Sequence, residues 1–306
     1  MFYKIREVPV DLKIMRVLFW RDGLSEKDKE QYFIKEKGFE GERTFDKMLE
    51  GALPSDDWLI IPNLRLKWDG NEFQIDTLLI SQHQIYLIEI KNREGDYFIE
   101  GDRWCSFYGR QIKNPLHQLE RAELLLSQCI QSIGIILPIV SRVVFVNPEF
   151  ALFQAPREYP IILPAQINRF LKQLRNAPST LTKKHFELAK KLTFRHIKRS
   201  SHESVPVYTY DQLKKGIHCG SCHSFHVKLI GRRSVCQHCG YEEPLESAFM
   251  RSVDEFHTLF PERKITVPAI MDWCKLDIDR RRVGKILKKN MNFVFKSRHS
   301  YYLFKN

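Results

Sequence analysis

Two pairs of cysteines constrain the fold of this chain more than any other feature of its sequence. Cys219 and Cys222 form one C-x2-C pair, Cys236 and Cys239 form a second, and 13 residues separate the pairs. Thiolates at this spacing close a tetrahedral Zn²⁺ site, with the intervening segment folded as a short hairpin. Four thiolates leave no open position on the metal. We therefore expect a structural zinc at these cysteines.

Four histidines near the cysteine pairs are alternative ligands that we expect at the surface: His218, His223, His226 and His238. The remaining cysteines, Cys105, Cys129 and Cys274, are scattered. An odd total without a secretory signal argues against a disulfide framework. The paired pattern resembles zinc ribbons, many of which contact nucleic acid. Arg232 and Arg233, at the expected hairpin tip, fit that use.

The net charge of +12 is unevenly distributed along the chain. Residues 1–167 carry 21 Lys/Arg against 25 Asp/Glu, whereas residues 168–306 carry 28 against 12. A basic part of this kind favours a polyanionic partner, and nucleic acid is the commonest one. We expect no membrane association, because the longest apolar run, Ile133 to Val140, is too short to span a bilayer. The first residues lack the apolar core of a signal peptide, so we expect a cytoplasmic protein.

The pattern from Gly38 to about Asn147 alternates between helix and strand and predicts a compact α/β unit. Apolar residues around Phe45 and Leu49 recur at helical spacing. Asn114 as N-cap and Pro115 at the first helical position open a second helix, to about Ser132. Four strands are predicted: Trp58 to Leu66, Phe73 to Ile80, Ile85 to Ile90 and Arg142 to Val146. A helix thus leads into a strand meander.

Two acidic residues are expected to face each other in this meander. Strand alternation puts Asp76 on one face with Gln74 and Leu78, and the SQHQ segment is short enough for a hairpin. With a loop of two or four residues, paired positions sum to 165, and Asp76 then opposes Glu89. Opposed carboxylates repel one another. A divalent cation such as Mg²⁺, which prefers carboxylate oxygens, is the natural partner.

Two further charged residues are expected near this pair. Lys91 shares the face of Glu89, and Glu42 shares the apolar stripe of the preceding helix. The alternatives are ordinary ones. Glu42 could only complement the helix dipole, Asp76 could be a strand-edge residue, and Glu89 with Lys91 could lie on a solvated face. Convergence of all four on one small unit favours a site.

The residues flanking these positions carry a family resemblance. GERTFDKML, GNEFQIDTLLIS and IYLIEIKNREGDY, followed by Trp104 and NPLHQLER, resemble the nuclease-related domain NERD over about Gly38 to Asn147. That family is placed among the restriction-endonuclease-like PD-(D/E)xK nucleases, whose fold is a mixed sheet flanked by helices. The resemblance implies catalytic roles for five residues: Glu42, Asp76, Glu89, Lys91 and Gln118.

The same resemblance implies metal-assisted phosphodiester hydrolysis. Asp76, Glu89 and the Ile90 carbonyl would hold one or two Mg²⁺ (or Mn²⁺) ions, with Lys91 orienting the nucleophile. DNA is the expected substrate, and a homodimer is left open because such nucleases often pair to cut both strands. The alternative is a non-catalytic DNA-binding or regulatory protein built on a nuclease-derived scaffold. A membrane-surface or protein-interaction adaptor is the weakest reading.

The chain after the cysteines predicts a helical DNA-binding domain. We expect a helix over Leu245 to Phe260, a second that begins near Thr266, and an arginine-rich third one capped by Asp277 or Asp279. A hairpin, FVFKSRHSYYLF, follows. This order resembles a winged-helix domain. The expected contacts to nucleic acid from the third helix are five basic residues: Arg281, Arg282, Lys285, Lys288 and Lys289.

Five segments are therefore expected in order along the chain. They are a helical arm (1–37), the NERD-like nuclease domain (38–155), a basic helical extension with its linker (156–206), the zinc ribbon (207–245) and the winged-helix-like domain (246–306).

Overall fold

The computed structural model describes residues 1–54, 56–177, 179–199, 205–275, 279–297 and 300–305. They form two compact units. Unit 1 combines Met1–Pro9 with Phe33–Glu203, and unit 2 combines Val10–Tyr32 with Ser204–Asn306. Most of the expected linker, residues 200–204, lies outside the described residues, as do Asp277 and the hairpin residues Arg298 and His299.

Helices and strands alternate along the described chain. The helices are α1 (Val10–Trp20), α2 (Glu26–Ala52), α3 (Pro115–Gln131), α4 (Ile167–Asn176), α5 (Lys183–Phe194), α6 (Leu245–Leu259), α7 (Val267–Cys274) and α8 (Arg280–Asn290). The strands are β1 (Leu59–Trp68), β2 (Asn71–Ile80), β3 (Ile85–Lys91), β4 (Gly95–Glu100), β5 (Arg103–Ser106), β6 (Gln111–Ile112), β7 (Ile139–Phe145), β8 (Phe150–Phe153), β9 (Ile161–Ile162), β10 (Val227–Ile230), β11 (Arg233–Cys236), β12 (Glu242–Pro244), β13 (Met291–Val294) and β14 (Tyr301–Phe304).

A five-stranded mixed sheet forms the centre of unit 1, in the order β1-β2-β3-β7-β9. The first three strands are antiparallel, as the predicted meander requires, and β7 and β9 continue the sheet in parallel with β3. Apolar residues fill both faces. One core packs the sheet against α3 and α5, and the other packs it against α2 and α4. The predicted α/β class is confirmed.

A second sheet of four short strands, β6-β5-β4-β8, was not expected from the sequence. Its strands have two to six residues and are bounded by polar turns, so they carry little periodic signal. Ile99, Trp104 and Phe150 join this sheet to the core shared with α3. The sheet leads the chain directly into α3.

Helix α2 runs without interruption through Gly38 and Gly41. A glycine inside a helix costs about 1 kcal/mol relative to alanine, so it needs a packing reason. At Gly41 the reason is a close approach, because a Cβ there would lie 2.5 Å from the Cβ of Asn92. The glycine therefore lets α2 lie tightly against the segment that follows β3.

The first residues of the chain extend the edge of the central sheet. Phe2 forms a parallel bridge with Ile60, and the Tyr3 amide donates to the Ile60 carbonyl at 2.8 Å. This pairing directs the following residues, including Arg6, across unit 1.

Unit 2 contains the cysteine segment and the C-terminal helices. Strands β10, β11 and β12 form an antiparallel sheet, which confirms the hairpin expected between the cysteine pairs. Asp279, one of the two expected caps, accepts a hydrogen bond from the Arg281 amide at the start of α8. Strands β13 and β14 pair as expected, and Ile265 bridges Tyr302 on the outer side of β14.

A buried ion pair directly after α1 anchors this segment within unit 2. Arg21 is fully buried and donates to Glu255 at 2.6 Å. Its guanidinium also lies 4.0 Å from the centre of the Trp273 ring.

None of the helices in the described parts of the chain has the length and apolar character needed to cross a bilayer.

Candidate active site and four-thiolate centre

The hairpin of β2 and β3 has the register that the sequence predicted. Thr77 pairs with Ile88 and Ile80 with Ile85, and four residues separate the strands. Asp76 directly precedes this ladder and lies near Glu89, since its Oδ2 accepts a hydrogen bond from the Ile90 amide and the two carboxylates repel one another. Asp76 is 7% exposed and Glu89 1% exposed, so the interpretation of Glu89 as a charge on a solvated face is wrong.

Strict alternation along β2 was also expected, and it fails next to Asp76. Ile75 and Leu78 pack in the same core, although they are an odd number of positions, three, apart. The Asp76 side chain gives the local reason, because its Oδ2 accepts a hydrogen bond from the Ile90 amide at 2.8 Å. The carboxylate thus accepts the hydrogen bond of a β3 backbone amide that would otherwise be free to pair with β2. The regular pairing of β2 with β3 begins only at Thr77.

Glu89 joins this site to helix α3 through Lys91. The Lys91 ammonium donates to Glu89 Oε1 at 2.7 Å and to Gln118 Oε1 at 3.1 Å. Gln118 is exposed and reaches Lys91 from the surface. Glu89 Oε2 is buried and has no hydrogen-bond partner among the described residues. This oxygen is available for a ligand.

Arg6 completes the site and was not found from the sequence. Its guanidinium pairs with Glu42 and bonds both oxygens of Asp46, at 2.6 and 2.9 Å. It also donates to the Asp76 carbonyl and to Thr77 Oγ1, each at 2.9 Å. The Arg6 side chain is only 3% exposed. Glu42 therefore has a buried cationic partner and is more than a complement to the helix dipole.

The sequence carried a signal for Asp46 but none for Arg6. Asp46 follows Glu42 by four residues, so the two carboxylates share one face of α2. A second acid on that face raises the demand for a cation. Nothing in the pattern of the first nine residues indicates that Arg6 supplies it.

Burial strongly favours the neutral forms of the carboxylates. Burial, reinforced by the neighbouring Asp76, raises the pKa of Glu89 to about 8. Burial and then Asp76 likewise raise the pKa of Glu42 to about 8, against the lowering effect of Arg6. Burial also raises the pKa of Asp76, although Lys91 and the Ile90 amide act in the opposite direction. If all of these carboxylates were ionised, the site would therefore lack the positive charge needed to balance them.

The donor set of this site fits one divalent cation. With all groups ionised, four carboxylates (Glu42, Asp46, Asp76 and Glu89) stand against two cations (Arg6 and Lys91), which leaves a charge of −2. Asp76 and Glu89 offer the hard oxygen ligands that Mg²⁺ and Mn²⁺ prefer. Glu89 Oε2 has no other partner in the described chain. Glu42, by contrast, is held on Arg6.

Residues 37–146 match the family model of NERD, the nuclease-related domain. This chain carries a NERD domain. A search of curated proteins found no match to the chain, and a search of solved structures found none either. All five residues expected to be catalytic lie inside the NERD domain, whereas Arg6 comes from the segment before it.

Outside the NERD domain, four cysteines of unit 2 come together as predicted. Sγ atoms of Cys219 and Cys239 lie 3.7 Å apart, those of Cys222 and Cys236 lie 3.6 Å apart, and all four lie within 4.8 Å of one another. Thiolates at about 2.3 Å from a tetrahedral zinc would stand roughly 3.8 Å apart. The amides of Ser221 and His238 point at sulfurs, at 3.3 and 3.4 Å. The cysteines are positioned to bind a metal ion, consistent with a structural zinc in a zinc ribbon.

One of the neighbouring histidines is not at the surface, contrary to expectation. His218 is fully buried, and its Nε2 lies 2.6 Å from Glu255 Oε1. Glu255 needs partners in the core, and His218 and Arg21 provide them. His223 is half-buried and stacks on Trp20 with ring centres 3.9 Å apart, while His226 and His238 are exposed as expected.

The basic residues expected to contact nucleic acid have different surroundings. Arg232, Arg281 and Lys285 are exposed. Two others pair with acids, Arg233 with Glu242 at 2.6 Å and Lys289 with Glu246 at 2.8 Å.

Two more basic residues contact neighbouring groups in unit 2. Arg282 donates to the Gly231 carbonyl in the ribbon turn at 2.7 Å. The Lys288 ammonium lies 5.0 Å from the centre of the Phe293 ring. Helix α8 packs against the rest of unit 2 through Val283 and Leu287, which are buried.

Proposed function

We propose that this protein is a metal-dependent nuclease that hydrolyses phosphodiester bonds of DNA. One observation carries the proposal. Two buried carboxylates, Asp76 and Glu89, lie beside Lys91, and a buried Glu89 oxygen has no partner among the described residues. A protein that only binds DNA gains nothing from such an arrangement, because burial of unpaired carboxylates is costly.

Asp76, Glu89 and the Ile90 carbonyl are the groups that would hold the divalent cation. When bound, Mg²⁺ or Mn²⁺ supplies Lewis acidity to the phosphoryl oxygens and to water. Arg6 keeps Glu42 and Asp46 paired, so the remaining charge suits a single divalent cation. The match to the nuclease-related family over residues 37–146 supports the same chemistry.

Lys91 and Gln118 are suited to orient the nucleophile. The Lys91 side chain is 22% exposed, so its ammonium reaches both Glu89 and the solvent side of the site. Gln118 Oε1 accepts a second hydrogen bond from the ammonium at 3.1 Å. In the reaction, water adds to phosphorus and one phosphorus–oxygen bond to the sugar breaks. The attacking water loses a proton to solvent, and the leaving oxygen takes one up.

Unit 2 is proposed to hold the DNA. Helices α6, α7 and α8 followed by the β13–β14 hairpin, with Ile265 bridging Tyr302, have the element order of a winged helix. The exposed residues Arg281 and Lys285 of α8 and Arg232 of the ribbon are suited to contact phosphates. Such contacts provide affinity without reading the base sequence.

The test is a cleavage assay on linear, circular and branched DNA with Mg²⁺, Mn²⁺ or EDTA. We expect cleavage with either metal and none with EDTA. EDTA also competes for zinc, so a loss of cleavage with EDTA does not by itself identify the carboxylate site. The Asp76→Ala and Lys91→Ala proteins are a sharper test than EDTA, because both keep the four thiolates. Both should bind DNA and fail to cut it. DNA binding by the wild type without cleavage in either metal would favour the non-catalytic alternative, and full activity of either variant would refute the assigned site.

A further inference from the structure

A groove of about 570 Å³ lies beside the candidate active site, between the start of β2 and the first turns of α3. Gln118 lines this groove and also contacts Lys91. Gln74 lines it as well and hydrogen-bonds Asp76. Through these two side chains the groove borders the candidate active site.

Three basic side chains line this groove at a spacing of four residues. They are Lys113, His117 and Arg121, and all three are exposed. The spacing puts His117 and Arg121 on one face of α3, with Lys113 just before its N-terminus. The helix N-terminus adds positive potential on the same side. One acidic residue, Glu72, also lines the groove, and its carbonyl accepts a long bond of 3.5 Å from Arg121.

An exposed aromatic pair stands at the tip of the hairpin that leads into this groove. Phe107 is 69% exposed and Tyr108 95% exposed, with ring centres 5.9 Å apart and planes at 87°. Arg110 follows this pair, and the two residues of strand β6 separate Arg110 from Lys113. At about 3.3 Å per residue, the two rings are carried by residues at most about 17–20 Å from Lys113 along the chain.

Backbone hydrogen bonds hold the tip in a defined conformation. The Ser106 amide donates to the Arg110 carbonyl at 2.9 Å, and the Phe107 amide to the Asp96 carbonyl at 2.8 Å. Gly109 has a φ of +78°, which this tight turn requires and which other residues rarely adopt. The two rings are thus presented to solvent on a fixed turn.

We propose that the groove and the aromatic tip together bind an unpaired strand of the nucleic-acid substrate. The groove residues Lys113, His117 and Arg121 hold the backbone next to the cleaved phosphate, and a base stacks on Phe107 or Tyr108. Duplex bases stack on one another and leave no face for a protein ring, whereas an unpaired base offers one. This inference rests on the proposed nuclease function, whose substrate it narrows to DNA with a single-stranded segment.

The experiment measures how much affinity a single-stranded overhang adds to a blunt duplex. Full-length protein is titrated without Mg²⁺ against a labelled blunt duplex and against the same duplex with a 3′ or a 5′ overhang. Binding by unit 2 is common to these probes, so the difference reports on the overhang. We expect one overhang polarity to increase wild-type affinity about tenfold, the scale of a single base–aromatic stack.

Two double variants and two controls locate the effect. Phe107→Ala/Tyr108→Ala and Lys113→Ala/Arg121→Ala should each reduce the overhang gain to less than twofold. The basic variant should also reduce the steepness with which log affinity falls against log salt concentration. The expected reduction in slope is about 1.4, for two phosphate contacts at about 0.7 each. Lys172→Ala/Arg175→Ala is the matched charge control, because these residues line a groove of about 670 Å³ between α2 and α4, on the other core of the sheet. Phe194→Ala, 91% exposed on α5, is the aromatic control.

The proposal is overturned if neither overhang increases wild-type affinity, or if the aromatic variant keeps the full gain. It is also overturned if the control pairs lose as much as the test pairs. These binding outcomes do not depend on cleavage. A protein with the expected overhang gain that cuts no DNA in Mg²⁺ or Mn²⁺ would contradict the nuclease proposal and leave the strand-binding site supported.

Discussion

The two units each concentrate anionic ligands in one place, but they do so in different ways. In unit 2, four thiolates from two short cysteine pairs lie within 4.8 Å of one another and leave no open side. In unit 1, Asp76 and Glu89 share their site with Lys91 and Arg6, and an exposed glutamine, Gln118, borders it. The first arrangement suits a metal that holds a fold. The second suits a cation that must also meet a substrate.

The two centres also differ in how far apart their residues lie in the sequence. The cysteines occupy 21 residues, from Cys219 to Cys239, and one strand pair brings them together. The carboxylate site draws on residues from Arg6 to Gln118 and therefore depends on the whole sheet of unit 1. Loss of one thiolate should affect folding first. Loss of one carboxylate should affect chemistry first.

The largest effect is expected from loss of a zinc ligand. Structural zinc contributes an apparent 10–16 kcal/mol in small zinc modules at neutral pH, so Cys236→Ser should unfold the ribbon and lower the thermal stability of unit 2. Metal analysis should give one zinc per wild-type chain and less than one in the variant. Gln237→Ala, an exposed residue of the same cysteine pair, should keep both zinc and stability. Full zinc content in Cys236→Ser would contradict the four-thiolate site.

The next effect concerns Arg6. Removal of one partner of a buried ion pair costs about 3–5 kcal/mol, so Arg6→Met should lower the melting temperature of unit 1 clearly. Mg²⁺ should restore more stability to this variant than it adds to the wild type, because Glu42 and Asp46 then lack their cation. Arg43→Met replaces an exposed arginine beside Glu42 and should do neither. Equal Mg²⁺ responses in Arg6→Met and wild type would show that Arg6 has no part in the charge balance of the site.

A loss of at least about 100-fold in cleavage rate is expected for Asp76→Asn, equivalent to about 2.7 kcal/mol. The substitution keeps the side-chain shape and removes a charged ligand oxygen. Glu120→Gln changes an exposed carboxylate on α3 and should leave the rate within about twofold. Single-turnover cleavage at saturating protein measures the chemical step separately from DNA binding. Equal losses in the two variants would point to a general charge effect.

A pH dependence of stability is also expected without added Mg²⁺. The pKa of Glu42 and of Glu89 is about 8 in the folded protein, above the ordinary 4.5, so the folded state binds more protons than the unfolded state between these values. Stability should therefore fall as pH rises from about 5 to 8. Each 1 kcal/mol lost lowers the melting temperature by about 2–4 °C for a domain of this size.

The Glu89→Gln variant tests the origin of this pH dependence. Because glutamine does not ionise, the variant should lose less stability than the wild type between pH 6 and pH 8.5, as measured by thermal melting. Added Mg²⁺ should flatten the wild-type profile and have little influence on Glu89→Gln. Identical profiles in both proteins would exclude Glu89 as the source.

The cysteine centre and the β2–β3 hairpin could be predicted from the sequence, because both depend on short spacings. The C-x2-C pairs fix two knuckles, and the four residues between β2 and β3 fix the register that brings Asp76 to Glu89. The partner of Glu42 could not be predicted. Arg6 reaches it only because Phe2 bridges Ile60, a contact between segments more than 50 residues apart.

Two local expectations failed for related reasons. His218 was expected at the surface, yet it is buried because Glu255, on a helix far along the chain, needs a partner in the core. Alternation along β2 fails near Asp76 because its carboxylate bonds the Ile90 amide. In both cases a buried charge, and not the apolar pattern, determines where the side chain lies.

The carboxylate site of unit 1 is proposed to hydrolyse phosphodiesters with a divalent cation. The most direct measurement is the single-turnover rate of DNA cleavage as Mn²⁺ is titrated, in the wild type and in Lys91→Met, with Mn²⁺ binding followed calorimetrically in the same samples. We expect the wild-type rate to saturate as one Mn²⁺ binds to unit 1, and Lys91→Met to bind Mn²⁺ but cut at least about 100-fold more slowly. Cleavage by Lys91→Met at the wild-type rate, or a zinc-loaded wild type that binds Mn²⁺ and DNA without cutting, would contradict the claim.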